Sequence, residues 1–258
     1  MSDALIKKMK RQIARASQAA NEGHVPSAYS VLDLLWVLYD RVMKIDPKRP
    51  DDLMMDRFVL SKGHASLALY AVLAEKGFFP IEEFNTFGKY NGKLGGHPDC
   101  SKIPGVEAST GSLGHGFPIA VGIALGSKIR KFKNRIFCLI GDGECNEGTV
   151  WESALLAVHH QLSNLCCIVD FNHSTDRALQ LGDLAQKFKS FGWDVLTIPG
   201  HDQEKIYRAL TALHPDKPLV VIADTIKGCG VKCMENEPAW HHRAPNEQEL
   251  KNILEELS

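Results

Sequence analysis

The chain has almost no net charge: among 258 residues, 30 basic and 31 acidic side chains leave a formal charge of −1. Such a balance lacks the one-signed field that a polyanion partner or an anionic membrane surface requires, so nucleic acid is not an expected ligand. No apolar run is long enough to cross a bilayer. The opening stretch, MSDALIKKMKRQIARASQ, sets apolar residues at helical spacing among charges and lacks the unbroken apolar segment of a secretory signal. Seven cysteines, at 100, 138, 145, 166, 167, 229 and 233, are odd in number and share no repeated spacing. That argues against a disulfide framework and for a reducing, cytoplasmic compartment. Internal repeats, low-complexity tracts and interdomain linkers are missing as well.

Several familiar motifs also fall short. Residues 111–116 form neither a dinucleotide fingerprint nor a P-loop, and they read as the opening of a closely packed helix beside a ligand. The run from Asp142 carries Glu147 at the sixth position, where a calcium loop needs glycine. Cys229 and Cys233 have three residues between them and no second cysteine pair, so with His241 and His242 they make no zinc pattern. Cys138, Cys166 and Cys167 lie inside apolar runs and read as small buried hydrophobes.

What is present is a composition, 44% hydrophobic, that can bury a substantial core in one domain spanning 1–258. Short runs of branched and apolar residues at 58–61, 135–140, 165–170, 195–198 and 219–223 read as buried strands. Helical periodicity lies between most of them: Leu32, Leu35, Trp36 and Tyr39 mark one helix, 150–159 another and 206–213 a third. Alternating strands and helices predict an α/β fold, a single doubly wound domain with a mainly parallel sheet. Two long segments, 88–111 and 224–246, break the rhythm, and loops of that length in a compact domain are usually functional.

Ligands of open parallel sheets sit beyond the carboxyl ends of the strands. Ser61 to His64 follow the first predicted strand, Gly141-Asp142-Gly143 the second and Asn172 the third. One crossover helix plus one strand separates Asp142 from Asn172, so the two can meet on neighbouring strands. A carboxylate, an amide oxygen and a backbone carbonyl supply part of an octahedral magnesium shell, which diphosphate oxygens and water would complete.

At this point the sequence resembles the transketolase family of thiamine-diphosphate enzymes, whose diphosphate motif is Gly-Asp-Gly followed just under thirty residues later by Asn. The resemblance runs over nearly the whole chain, in order: Glu22-Gly23-His24, Ser61-Lys62-Gly63-His64, Gly95-Gly96-His97-Pro98, 110–116, Gly141-Asp142-Gly143, Asn146-Glu147-Gly148, Trp151-Glu152, Phe191-Gly192-Trp193, Gly200-His201-Asp202, 227–230 and Trp240-His241. It implies the thiamine-diphosphate-binding fold of that family and two cofactors, thiamine diphosphate and Mg2+. Asp142, Asn172 and the main-chain oxygen of Ser174 would ligate magnesium. Cofactor contacts would come from His64, Gly111, Leu113, Gly141, Asp142, Gly143, Glu144, Asn172 and His241. His24, His64, His97 and His241 would be catalytic, bonding sugar hydroxyls and moving protons near neutral pH. Glu147 would lie at a subunit interface, close to the partner's activating glutamate.

The implied reaction transfers a two-carbon ketol unit from a ketose phosphate to an aldose phosphate, with the cofactor carrying the hard chemistry. Family members also need a pyrimidine-binding and a carboxyl-terminal domain, and the chain has no segment for either. The resemblance therefore implies the amino-terminal subunit of a split transketolase, completed by a complementary chain in an α2β2 assembly. Deoxyxylulose-phosphate synthesis, an oxo-acid dehydrogenase component and a non-catalytic regulatory subunit remain as alternatives. The chain departs from the pattern in four places, the mildest being His115, a polar exchange where many relatives have glutamine. Val25-Pro26-Ser27 replaces glycine-rich sequence after His24, which implies an altered channel wall. His173-Ser174-Thr175-Asp176 follows Asn172 where the family has an apolar residue, which bears on the Ser174 carbonyl. Glu144 adds a carboxylate beside the metal motif, with solvent as the other direction open to its side chain.

Overall fold

The computed structural model describes residues 2–176, 179–212 and 214–258. Its helices and strands are, in chain order, α1 (Ser2–Ala20), α2 (Val25–Val37), β1 (Arg57–Leu60), α3 (Ser66–Glu75), α4 (Gly116–Ile129), β2 (Ile136–Gly141), α5 (Gly148–His159), β3 (Leu165–Phe171), α6 (Leu184–Ser190), β4 (Asp194–Pro199), α7 (Gln203–Thr211), β5 (Leu219–Asp224) and α8 (Glu247–Glu256). All pairings are parallel, in the order β1-β2-β3-β5-β4. Each of the five expected strands forms within a residue or so of its expected bounds. The helix expected over 206–213 is α7, and residue 213 lies outside the described residues.

Side chains of successive strand residues point to opposite faces, so a strand buried on both sides must be apolar throughout. Here Phe137, Leu139, Cys166, Ile168 and Val221 enter one core with α1, α2, α3, α7 and α8. Their neighbours Cys138, Ile140, Cys167, Val169 and Val220 enter a second core with α4, α5 and α6. The doubly wound expectation holds, and the three strand cysteines are buried apolar filler. Only β4 is half exposed; it forms an edge, and Pro199 ends it where no ladder partner is needed.

Helix α2 is buried over its whole length. Pro26 stands in its first turn, where a missing N–H leaves no bond unmade, so the Val25-Pro26-Ser27 departure becomes a helix start with His24 at its boundary. Asp183, Asp202 and Asn246 cap α6, α7 and α8, and Asn246 with Glu249 forms a reciprocal capping box, each cap contributing roughly 1 kcal/mol.

The two rhythm-breaking segments carry no regular strand and only one short turn of tight helix, Pro238–Trp240. They are nonetheless anchored. Leu94, Ile103 and Val106 bury from the first segment, and Val231, Met234 and Trp240 from the second. Ser66 and Tyr70 of α3 also donate to the carbonyls of Gly96 and Gly95 at 2.8 and 2.9 Å. The first segment reaches from the amino end of β1, where Glu107 pairs with Arg57 at 2.7 Å, to its carboxyl end, where Thr110 Oγ1 donates to the Leu60 carbonyl at 2.6 Å.

Where α4 opens, a Cβ on Gly116 would stand 2.5 Å from the Cα of Ser61. Backbone cannot yield there as a side-chain tip can. Gly116→Ala is expected to lower stability by roughly 1–3 kcal/mol, the usual range for overpacking. Urea denaturation should show a lower midpoint with an unchanged slope.

Candidate active site

The site begins with a buried carboxylate. Glu144 is 1% exposed, and its oxygens accept from the Ser61 hydroxyl, from Gly114 N at 2.9 Å and from Gly141 N at 3.2 Å. Ser61 Oγ in turn accepts from Phe117 N at 3.0 Å. Glu144 thus ties the end of β1, the 111–116 turn and the end of β2 together. This corrects the expectation that its side chain points to solvent: the carboxylate is buried and turned inward. Burial raises its pKa against the pull of those donors. The knot closes tightly, since a Cβ on Gly63 would meet Gly111 N at 2.8 Å.

Asp142 and Asn172 follow neighbouring strands, as their spacing predicts; Gly141 of β2 pairs with Asp170 of β3. Asp142 Oδ2 and Asn172 Oδ1 converge, accepting from the same Ser174 N–H at 3.0 and 3.1 Å. Gly143 N donates to Asp142 Oδ1 at 2.7 Å, and Asn172 Nδ2 donates to Asp170 Oδ2 at 2.7 Å. The amide oxygen of Asn172 is thereby turned toward Asp142. Two hard oxygens on one point suit magnesium. Burial and then the nearby Asp170 raise the pKa of Asp142, a strain that a bound cation would relieve.

Ser174 was expected to offer its main-chain oxygen. The contacts it makes instead run through its N–H and its hydroxyl, which reaches Asp142 Oδ1 at 3.4 Å. The cause is local: His173 takes φ +61°, and its imidazole bridges Asp176 and Asp224 at 3.0 and 3.2 Å, which turns the next amide toward the carboxylate.

Beneath these oxygens lies Asp170, fully buried. It accepts from Lys62 Nζ, from Thr225 Oγ1, from Ser30 Oγ at 2.9 Å and from Asn172 Nδ2. Burial opposes its ionisation, but the Lys62 ammonium and the hydroxyl and amide donors hold it below the ordinary carboxylate range. Lys227, also buried, approaches His241 Nδ1 at 2.9 Å, and burial together with Lys62 lowers its pKa to about 8. These lysines are cations that sequence reasoning missed. Both sit inside family motifs, and only tertiary contact reveals that they flank Asp142.

The histidines gather from four separated segments. His24 and His64 ring centres are 4.6 Å apart, His64 and His97 5.2 Å, and His24 and His241 5.5 Å. His24 Nδ1 bonds the His241 carbonyl at 2.8 Å, so Nδ1 carries the proton and Nε2 is left as an acceptor. Burial lowers His24 to about 3, with the imidazoles of His64, His242 and His241 adding to the effect against that hydrogen bond. Burial, followed by His97, His241, Lys62 and Lys227, lowers His64 to about 4. The expectation of imidazoles titrating near neutrality is therefore corrected for these two: they rest neutral, as proton acceptors.

A cavity of about 310 Å3, lined in part by Asn172, Ser174, Lys227 and His241, opens beside Asp142 and Asn172. Larger clefts of about 700 Å3 lie elsewhere and contain none of these groups. Gly111 and Leu113 stand on the turn facing the site, while Glu147 is exposed at the start of α5.

The family described as transketolase, thiamine diphosphate binding domain, matches residues 2–258. The chain is 35% identical to one of the subunits of apulose-4-phosphate transketolase from Phocaeicola vulgatus, covering 97% of this chain and 92% of that protein. It is 39% identical to 6-deoxy-6-sulfo-D-fructose transketolase subunit SqwG of a Clostridium species, covering 91% and 88%. Human transketolase is 36% identical, and there the match covers 94% of this chain but 40% of the relative. The solved transketolase from Campylobacter jejuni superimposes with a TM-score of 0.91 at 32% identity, over all of this chain and 43% of that one.

Two outcomes follow from the buried charges. Asp170→Asn leaves the Lys62 ammonium buried without its carboxylate and is expected to cost roughly 3–5 kcal/mol. Adding Lys62→Met should recover part of that loss in a urea double-mutant cycle. His24 and His64, lowered to about 3 and about 4 from 6.5, bind fewer protons folded than unfolded. Their contribution is complete above pH 6.5 and declines as pH falls through that value. Between pH 7 and pH 5 the urea midpoint of His24→Gln should therefore fall less than that of the unsubstituted chain.

Proposed function

The chain belongs to the transketolase family and spans its thiamine diphosphate binding domain, and from that premise we propose that it is the amino-terminal subunit of a split, magnesium-dependent transketolase. The observation that carries this reading is the convergence of Asp142 and Asn172 beside the wall formed by His24, His64, His97 and His241. Residues 1–258 act as one diphosphate-binding domain, and a complementary chain brings the pyrimidine-binding and carboxyl-terminal domains in an α2β2 complex. Relatives of nearly this length are themselves named as subunits of transketolases, which supports a partner. So does the outer face of α5, where Leu155 and Leu156 are exposed on the helix that Glu147 begins. The described helices include none long and apolar enough to cross a membrane, and the seven unpaired thiols favour the cytoplasm.

The residues divide the work. Asp142 and Asn172 would hold a magnesium ion through their converging side-chain oxygens, with the turn at Ser174 beside them. Gly143, His64 and His241 face the diphosphate, with Gly111, Leu113 and Gly141 shaping the cradle, and Lys227 adds a buried positive charge. Bound thiamine diphosphate supplies a carbon nucleophile that takes up and releases the two-carbon unit. His24, neutral and with Nε2 bare, accepts a hydrogen bond or a proton from a sugar hydroxyl. His64 and His97, on the same wall, hold neighbouring hydroxyls and exclude water.

Such a wall suits a polyhydroxylated donor such as a ketose phosphate better than pyruvate, which sets ketol transfer above the related synthase and dehydrogenase reactions. The relatives act by name on apulose 4-phosphate and on 6-deoxy-6-sulfo-D-fructose, so the donor here need not be a pentose phosphate. The isolated chain is expected to be inactive toward ketose phosphates and to gain activity with its complementary chain. In that complex, Asp142→Ala should abolish magnesium-dependent binding of thiamine diphosphate in calorimetry. Full activity without a partner would refute the split assignment, and an unchanged affinity in Asp142→Ala would refute the metal site.

A further inference from the structure

His242 lies immediately after the channel residue His241, yet its contact is of another kind. The rings of His24 and His242 stack almost flat, with centres 4.4 Å apart and an interplanar angle of 18°. The other rings near His24 meet it edge-on or tilted, at 83° for His64, 87° for His241 and 55° for His97. A flat neighbour opposes rotation of a ring about its Cβ–Cγ bond across its whole face, because turning drives the edge of one ring into the face of the other.

The stack is held firmly from behind. Trp240 is buried, and the Arg243 guanidinium lies 3.6 Å from the centre of its ring. Arg243 also makes a two-pronged pair with Glu249 at 2.7 and 3.0 Å, and the same carboxylate caps α8 by accepting from Asn246 N at 2.9 Å. The 240–243 turn is thus clamped to a helix end, and His242 is presented to His24 from a fixed base.

We propose that His242 is a positioning residue of the channel: by stacking on His24 it holds that ring in the single orientation that keeps Nδ1 on the His241 carbonyl and leaves Nε2 to the substrate. The two constraints are complementary. The hydrogen bond selects which edge of the His24 ring faces the loop, at 2.8 Å; the stack fixes the plane. Among the described residues nothing bonds His24 Nε2, so its lone pair is available to a sugar hydroxyl. The inference rests on the reading of His24 as a channel residue of a ketol transferase.

Comparison of His242→Ala with His242→Phe tests it, since phenylalanine preserves a flat stacking partner and alanine removes it. In the isolated chain, 15N shifts of the His24 ring should report one tautomer, protonated at Nδ1, for the unsubstituted protein and for His242→Phe. In His242→Ala the two tautomers should average. In the assembled complex, His242→Ala should lower kcat/KM about tenfold, a modest loss for a misaligned acceptor, and His242→Phe should restore most of it. A single retained tautomer in His242→Ala, or a His242→Phe variant as impaired as the alanine one, overturns the proposal. If no variant, the unsubstituted complex included, transfers ketol units, the functional assignment fails, and the 15N result on the isolated chain still decides the role of His242.

Discussion

A single buried carboxylate, Asp170, organises the site. Sealed at the end of β3, it gathers an ammonium, two hydroxyls and an amide from elements far apart in the chain. A carboxylate without water stays ionised only if its surroundings supply charge and donors, so each partner is held where it stands. Lys62 is drawn in from the turn after β1, Ser30 from α2 and Thr225 from just past β5, while Asn172 is rotated so that its amide oxygen meets Asp142. The convergence of Asp142 and Asn172 is thus a consequence of the bonds beneath it, and its geometry comes from the core of the sheet more than from the exposed turn above.

Glu144 does for the backbone what Asp170 does for the side chains. Its oxygens accept from residues 61, 114 and 141 and draw three turns into one knot. Glycine at 63 and 116 lets these turns approach more closely than a Cβ would allow. Function follows from that closeness, because the knot fixes both the Gly-Asp-Gly turn and the turn bearing His64. The channel wall is built on the opposite electrostatic principle. Its imidazoles are partly buried and crowded against one another, with Lys62 and Lys227 adding to the effect on His64 but not on His24, so His24 and His64 are kept neutral. Neutral rings keep a lone pair that can accept a hydrogen bond, while the Lys62 charge is matched by Asp170.

The strands were legible because each is a short run of mainly branched and apolar residues, a pattern that burial on both faces imposes on β2, β3 and β5. Helices α2, α5 and α7 were legible from their periodicity. Helix α4 was visible only as an opening at 111–116, since its small, almost uniformly apolar sequence has no polar face to betray a period. Helices α6 and α8 went unmarked for a different reason: α6 is a short piece between turns, and α8 is predominantly charged. The two long segments were rightly set apart, though their burial through Leu94, Ile103, Met234 and Trp240 is a tertiary fact.

By itself the sequence determined the fold class, the meeting of Asp142 with Asn172 and the segments that bear the histidines. Those properties depend on strand order and spacing, which short-range pattern encodes. Tertiary structure alone decided the burial of Glu144, the presence of Lys62 and Lys227 beside Asp142, the N–H that Ser174 presents and the flat contact between His24 and His242. Most of these are set by contacts between segments far apart in the chain, and by how much water their packing excludes. Residue identity names a group that can ionise, but the surroundings set its charge and direction.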